Sequence, residues 1–388
     1  MNIHNCFYLN IDNFVTSIVP LFYFLKGLGL APLDLYRPSS KIKTFLNILY
    51  SFLVMVLVFG LCCHQVHYFY VKIYPGQRSN FIISDLGSKL LLFGTPLMSI
   101  YMSVTCRKEM SNIIQIIHKV DQKTVKNKSV YFNIFVLSII EILFCISCIS
   151  ILYKIIDIAW EVNQFLFVYY EFTAHCLALF VDFQYVSILL YVTYLYKLLN
   201  NELNSFVDKT REKTSDCLNI KELEYGTVCK CKVIYKELQV VIESINAYFT
   251  WQIVLEIASL FVQMVSTTFN IIGFSRYTFL NNENRQKNIF CIFSLVIWDV
   301  FYIFNLFVIT ASGHLCIREA RNTFLIIHKL LLNKIQKSDV LLELQSFAIC
   351  YSSYKTNITV KGIFPMDMTL FIKVIGAVIT YLVILLQN

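Results

Sequence analysis

The stretch 45–68, FLNILYSFLVMVLVFGLCCHQVHY, contains no Asp, Glu, Lys or Arg. As an α-helix rising 1.5 Å per residue it is about 36 Å long, enough to cross a hydrocarbon core of about 30 Å. Comparable apolar runs recur at 82–106, 130–153, 165–196, 245–274, 289–316 and 364–386, giving about seven spans. Runs 165–196 and 245–274 are longer than a bilayer needs, so their ends are expected to project or tilt. Period-2 alternation is absent, which argues against a β-barrel. The composition agrees: 57% of the 388 residues are hydrophobic and 15% charged. The mean hydropathy is +0.62. A soluble domain carries about 45–50% apolar and 25% charged residues. Disorder, collagen and a small disulfide scaffold are excluded by the same balance. The expected fold is all-α, polytopic and membrane-embedded.

Basic residues orient the chain. Lys26, Arg37, Lys41 and Lys43 precede the first run, and Arg107, Lys108, Lys119, Lys123, Lys126 and Lys128 follow the second. Eight more lie between Lys197 and Lys236, and seven between Arg318 and Lys361. About 25 of the 33 basic residues thus share the side of the N-terminus, which the positive-inside rule makes cytoplasmic. Seven spans then place the C-terminus outside. The +8 charge reads as topology and not as a nucleic-acid footprint. The sequons at Asn127 and Asn357 fall on the inner side, where glycosylation does not occur. Segment 14–30 lacks a basic n-region and a cleavage pattern, so it is expected to stay as a helix along the inner interface. Inner loops are long, and Leu198, Leu199, Leu203 and Phe206, like Val340, Leu341, Leu344 and Phe347, recur at helical spacing. These segments predict helical extensions that pack into an inner bundle.

Catalytic chemistry is missing. His64 and His67 form a lone H-x-x-H, and Cys229 and Cys231 half a metal site, with no further ligands for either. No G-x-S-x-G, Walker loop or H-E-x-x-H occurs, and 11 glycines leave little for phosphate cradles. No enzyme activity, cofactor or metal is expected. A G-protein-coupled receptor would need the opposite orientation and its D-R-Y and N-P-x-x-Y signatures, which are lacking.

The chain ends Thr380-Tyr381-Leu382-Val383-Ile384-Leu385-Leu386-Gln387-Asn388. The octet 380–387 resembles the T-Y-h-h-h-h-h-Q-F ending (h, hydrophobic) of insect gustatory receptors. Gly362-Ile363-Phe364 resembles that family's G-h-F segment, Leu344-Gln345-Ser346-Phe347 its approach helix, and Gly27-Leu28-Gly29-Leu30-Ala31-Pro32 its early G-L-x-P turn. The family's final Phe is Asn388 here. The resemblance implies a homotetrameric, tastant-gated, nonselective cation channel in the plasma membrane of gustatory neurons, surrounded by lipid and able to assemble with other gustatory receptor subunits. It divides the chain into a cytoplasmic segment with an interfacial helix (1–44), a six-helix ligand-binding bundle (45–316), an anchor region (317–363) and a pore-lining last helix (364–388). An insect odorant receptor subunit needing a co-receptor is the alternative, and a G-protein-coupled receptor a further one.

Spacing places Thr380, Ile384 and Gln387 on one face of the last helix, with Asn388 at its rim. A ring of Ile384 side chains excludes water, and therefore ions, until it widens. Gln387 and Asn388 are then the polar mouth, and Tyr381 a contact between helices. Lys373, two heptads before Gln387, shares the face or turns to a neighbouring subunit. Intramembrane ionisable groups need a partner, a cavity or a function. Lys89, Glu171, His175 and Asp299, with Gln263 and Thr267 and the aromatics Trp160, Tyr169, Tyr170, Trp298 and Tyr302, are the expected ligand-binding set in the outer half of the bundle. Glu141, Asp182 and Glu256 are expected to pair structurally. The aromatic fraction of 15% tilts the expected ligand towards a bitter or other plant-derived compound over a sugar.

Overall fold

The structure is a computed structural model. It describes residues 14–30, 41–68, 70–71, 79–124, 165–212, 220–280, 285–332, 338–353, 357–360, 362 and 364–387, with isolated positions between 131 and 147. In chain order these form α1 (Phe14–Gly27), α2 (Lys41–Tyr68), α3 (Ser79–Thr105), α4 (Arg107–Thr124), α5 (Phe165–Glu212), α6 (Ile220–Leu280), α7 (Arg285–Leu332), α8 (Ser338–Ser353), β1 (Thr359–Val360), β2 (Phe364–Pro365) and α9 (Met368–Gln387). Among the described residues, α2, α5, α6, α7 and α9 are each long and apolar enough to cross a membrane. Helices α3 and α4 together make a sixth such unit, bent by 76°. These match six of the seven expected stretches; 130–153 falls almost wholly outside the described residues. The chain is an all-α, multi-pass membrane protein.

Helices α5, α6 and α7 run for 48, 61 and 48 residues, so α6 alone is about 90 Å long. Their extra length is the predicted set of extensions. Leu199, Leu203 and Phe206 of α5 are buried in one cluster with Cys231, Tyr235 and Leu238 of α6, Ile327 and Leu330 of α7, and Val340, Leu344 and Phe347 of α8. Polar groups close over it: Thr323 donates to Asn200 Oδ1 at 2.7 Å, and Lys232 meets Glu343 at 2.9 Å. A second cluster joins α1, α2, α3 and the first part of α5 through Leu25, Val58, Phe93 and Phe180.

Charge concealed one helix. Residues 107–124, counted above as a basic loop, form α4, whose Met110, Ile113, Ile114, Ile117 and Val120 bury one face. Asp121 on that face is fully buried. Tyr131 donates to its Oδ2 at 2.9 Å, and Tyr191 of α5 donates to Oδ1.

Residues Gly27 to Leu30 are a helix stop. The Leu30 N–H donates to Leu25 O at 2.9 Å and the Gly29 N–H to Lys26 O at 3.0 Å, the paired bonds of a Schellman turn, with Leu25 and Leu30 both buried. Gly29 has φ +74°, and an added Cβ would meet Val54 Cγ1 at 3.2 Å.

The last helix starts later than expected. Residues 364–365, placed in the pore helix by their apolarity, instead pair antiparallel with 359–360, Val360 opposite Phe364. Pro365 and the short polar Asp367 break the helical pattern, and Asp367 then caps α9. Its Oδ1 accepts from the Thr369 N–H at 2.9 Å, the Leu370 N–H at 3.3 Å and the Thr369 hydroxyl. Partial burial pushes the Asp367 carboxyl up, but the bonds from Thr369 and Leu370, with His314 nearby, hold it below the usual carboxylate range.

Gly29→Ala is expected to cost about 1 kcal/mol or more in thermal unfolding of the purified protein, through the left-handed φ and the Val54 contact. Asp367→Ala should cost about 1 kcal/mol near neutral pH. Because the carboxyl is held low in the fold, its contribution is present above the unfolded value of about 3.9 and is lost as pH falls through the folded one. The difference between native protein and Asp367→Ala in a pH series of melts should therefore shrink only below about pH 4.

Candidate ligand-binding site

Two helices bring ring systems together inside the bundle. His175 of α5 lies against Trp298 and Tyr302 of α7, with ring centroids 4.7 and 5.8 Å away, and the Trp298 and Tyr302 rings are 5.6 Å apart. The α7 pair is spaced by one turn, so both side chains emerge on the face that meets α5. The Tyr302 hydroxyl is 3.5 Å from His175 Nε2. Lys89 of α3, 5% exposed, is near enough for its charge to act on His175. Four of the expected site residues thus converge: Lys89, His175, Trp298 and Tyr302.

The others sit differently. Asp299 takes a hydrogen bond from Thr268 of α6 at 2.9 Å. Gln263 donates to Ser259 on its own helix at 2.8 Å, and Thr267 is buried one turn beyond. Trp160 lies outside the described residues. So do the side chains of Tyr169, Tyr170 and Glu171, whose backbone belongs to the first turns of α5. Glu141 and Asn388 are outside them as well.

The deeper acids are placed two turns further on. Asp182 follows His175 by seven residues on α5, Asn305 follows Trp298 by seven on α7, and Glu256 precedes Gln263 by seven on α6. Asn305 Nδ2 donates to Asp182 Oδ2 at 2.7 Å. Glu256 neighbours Asp182 and Thr95 of α3. Asp182 and Glu256, each expected to pair structurally with no partner named, neighbour one another. Asn305 and Thr95 were missed because single polar residues in apolar runs carry no spacing signal of their own. The heptad offset from His175 and Trp298 was the signal that could have found Asn305.

Two open cavities of about 610 Å³ lie elsewhere. One is between α4 and α6, lined by Asn112, Glu243 and Ser244 among others. The other is between α3, α6 and the hairpin, lined by Tyr101, Trp251 and Thr359 among others. The three rings of the aromatic trio pack against one another.

On α9, Leu370 and Val378 are buried against the bundle, and Val374, Leu382 and Leu385 pack beside them. Thr380, Ile384, Gln387 and Lys373 lie on the opposite side and are exposed in the single chain. Tyr381, at the border, meets Phe261 of α6 edge-on at 6.3 Å.

A family model described as 7tm Chemosensory receptor matches residues 18–387. Over 149 residues the chain is 30% identical to a Drosophila melanogaster protein carrying the name gustatory receptor 28b, a stretch that is 37% of this chain and 30% of that protein. The match therefore spans less than a third of that relative. Among solved structures, the fold is similar to the insect olfactory receptor OR5 from Machilis hrabei, with a TM-score of 0.67 and 12% identity over 95% of this chain and 97% of that one. The same receptor in complex with eugenol gives 0.61 and 12% over 96% and 98%. At that identity the likeness is one of fold. Since the family model spans nearly the whole chain, the protein belongs to the 7tm chemosensory receptor family, a family of receptors and not of enzymes.

Proposed function

We propose that the chain is a ligand-gated cation channel in which a small molecule enters at His175, Trp298 and Tyr302 and opens a gate formed by the last helix. The N-terminus is cytoplasmic and the C-terminus outer, as the basic residues dictate. Four copies surround one pore in the plasma membrane. The observation that carries this reading is the two-sidedness of α9. One face is packed on the bundle, while Thr380, Ile384 and Gln387 are exposed on the other. Exposed to lipid, the Gln387 carboxamide would be badly placed. Facing a water-filled axis it is not. Ile384 is the apolar constriction, Gln387 and Asn388 the polar rim, and Tyr381 the hinge contact with α6. Glu171, Asp299, Gln263 and Thr267 complete the polar rim of the ligand site, with Trp160, Tyr169 and Tyr170 as its outer aromatics.

Two readings differ in what is sensed. The likeness to an olfactory receptor extends along the whole chain, which supports an odorant receptor subunit working with a co-receptor. The taste reading is favoured by the 380–387 ending and by the 149-residue match to a gustatory receptor. Eugenol, present in one of the olfactory receptor structures, is the first compound to apply, followed by a panel of plant-derived bitter compounds. Patches from cells expressing the chain alone, or with a co-receptor, separate the two.

Trp298→Ala and Tyr302→Ala should raise the half-maximal ligand concentration about tenfold or more, because each removes a ring from a desolvated stack. Wild-type sensitivity in both would remove the trio from the site. Ile384→Ser should give current without ligand, measured as the ratio of basal to ligand-evoked conductance in excised patches lacking GTP. An unchanged ratio would move the gate elsewhere.

A further inference from the structure

Gln252, Glu256, Ser259, Gln263 and Thr267 follow one another on α6 at steps of four, three, four and four. They form a single polar stripe along a membrane-crossing helix. All five are buried, at 8% exposure or less. Polar groups at that depth face a partner or a cavity. At its inner part the stripe meets three other helices. Glu256, Asp182 and Asn305 come together with Thr95 (4%, 3%, 9% and 0% exposed), so that α6, α5, α7 and α3 each deliver one oxygen-bearing side chain.

The bonding there is incomplete. Among the described residues Asp182 Oδ1 and Glu256 Oε2 have no hydrogen-bond partner. Neither does either atom of the Gln252 carboxamide, which is fully buried one turn from Glu256 on the same stripe. No Lys, Arg or His among them forms a salt bridge with either acid. A proton shared between Asp182 Oδ1 and Glu256 Oε2 would match those two atoms and still leave Thr95 Oγ1 and the Gln252 carboxamide without partners among the described residues, an expensive arrangement at this burial. One positive charge placed among them engages all of these oxygens at once and relieves the repulsion of two neighbouring carboxylates.

We propose that Asp182 and Glu256, with Asn305, Thr95 and Gln252, form a buried all-oxygen site for a monovalent cation, taken either as a small hard ion such as Na⁺ or as the ammonium head of an amine. Hard cations prefer such oxygen donors. No group of three or more His, Cys, Asp or Glu that could hold a metal ion exists among the described residues, so two acids with neutral oxygens suit a single charge better than a divalent ion. The site lies two turns, about 10 Å, beyond the aromatic trio on the same helices. It is therefore a second site within the bundle, and it does not depend on the chain conducting ions.

The test uses the purified full-length protein in lipid nanodiscs, with unfolding followed by Trp fluorescence in chloride salts of equal ionic strength. Na⁺ or n-hexylammonium is expected to raise the midpoint over N-methyl-D-glucamine in a saturable way, as a ligand of the folded state must. A shift with Na⁺ identifies an inorganic ion. A shift confined to n-hexylammonium, and absent with 1-hexanol, identifies an amine head. Asp182→Asn and Glu256→Gln should each abolish the shift, and Gln252→Leu should weaken the apparent affinity about threefold or more. Midpoints that follow ionic strength alone would overturn the proposal, as would a full shift in Asp182→Asn. If the acid variants do not fold, unchanged affinity in Gln252→Leu overturns it.

Discussion

Every polar group that enters hydrocarbon must find its partner within the protein, and the arrangement of this chain follows from that constraint. Backbone groups meet it by forming helices of 20 residues or more across the apolar runs. Side chains meet it by facing inward. The polar stripe of α6, His175 and Asp182 of α5, and Asn305 of α7 all point into the bundle, while Phe45, Leu57, Phe59 and Phe293 cover its outside. The same rule explains back-bonded hydroxyls such as Thr310 to Leu306 O at 2.8 Å and Thr380 to Gly376 O at 2.8 Å. A lone hydroxyl in an apolar helix closes its hydrogen bond on its own backbone.

The helices that frame the aromatic trio also hold the base of the last helix. Gly313 lies on α7, eleven residues beyond Tyr302. A Cβ there would come within 2.5 Å of Met366 O, so the strand leading into α9 rests directly on the α7 backbone. From α6, Asn246 donates to Asn357 O at 2.9 Å and accepts from the Thr359 N–H at 3.3 Å, fixing the other strand of the hairpin. Phe307 of α7 meets Phe371 of α9 at 5.8 Å. Helix α7, which carries Trp298 and Tyr302, is therefore joined to α9 by tight contacts and not by a loose linker.

Spans and extensions were legible because each rests on many residues: long uncharged runs, or Leu199, Leu203 and Phe206 at helical spacing. Helix α4 was hidden, since its lysines spoke louder than the spacing of Met110, Ile113, Ile117 and Val120. The hairpin was hidden because Phe364 and Pro365 are as apolar as the helix that follows. At the site, the sequence named the residue types, and Lys89, His175, Trp298 and Tyr302 do converge. It did not show that Asp182 and Glu256 face each other, because that contact joins residues 74 apart through the packing of α5 on α6, which no local pattern records.

In the proposed channel the exposed face of α9 is the ion path and ligand in the bundle controls it. Single cysteines at positions 380 and 378 test this directly, in a background where the exposed Cys63 is replaced. With a charged thiol reagent applied from outside, Thr380→Cys should be modified only when ligand is present, since Ile384 stands between it and the bath. Val378→Cys, on the packed face, should stay unmodified in both states. Equal reactivity of Thr380→Cys with and without an activating ligand would contradict the account.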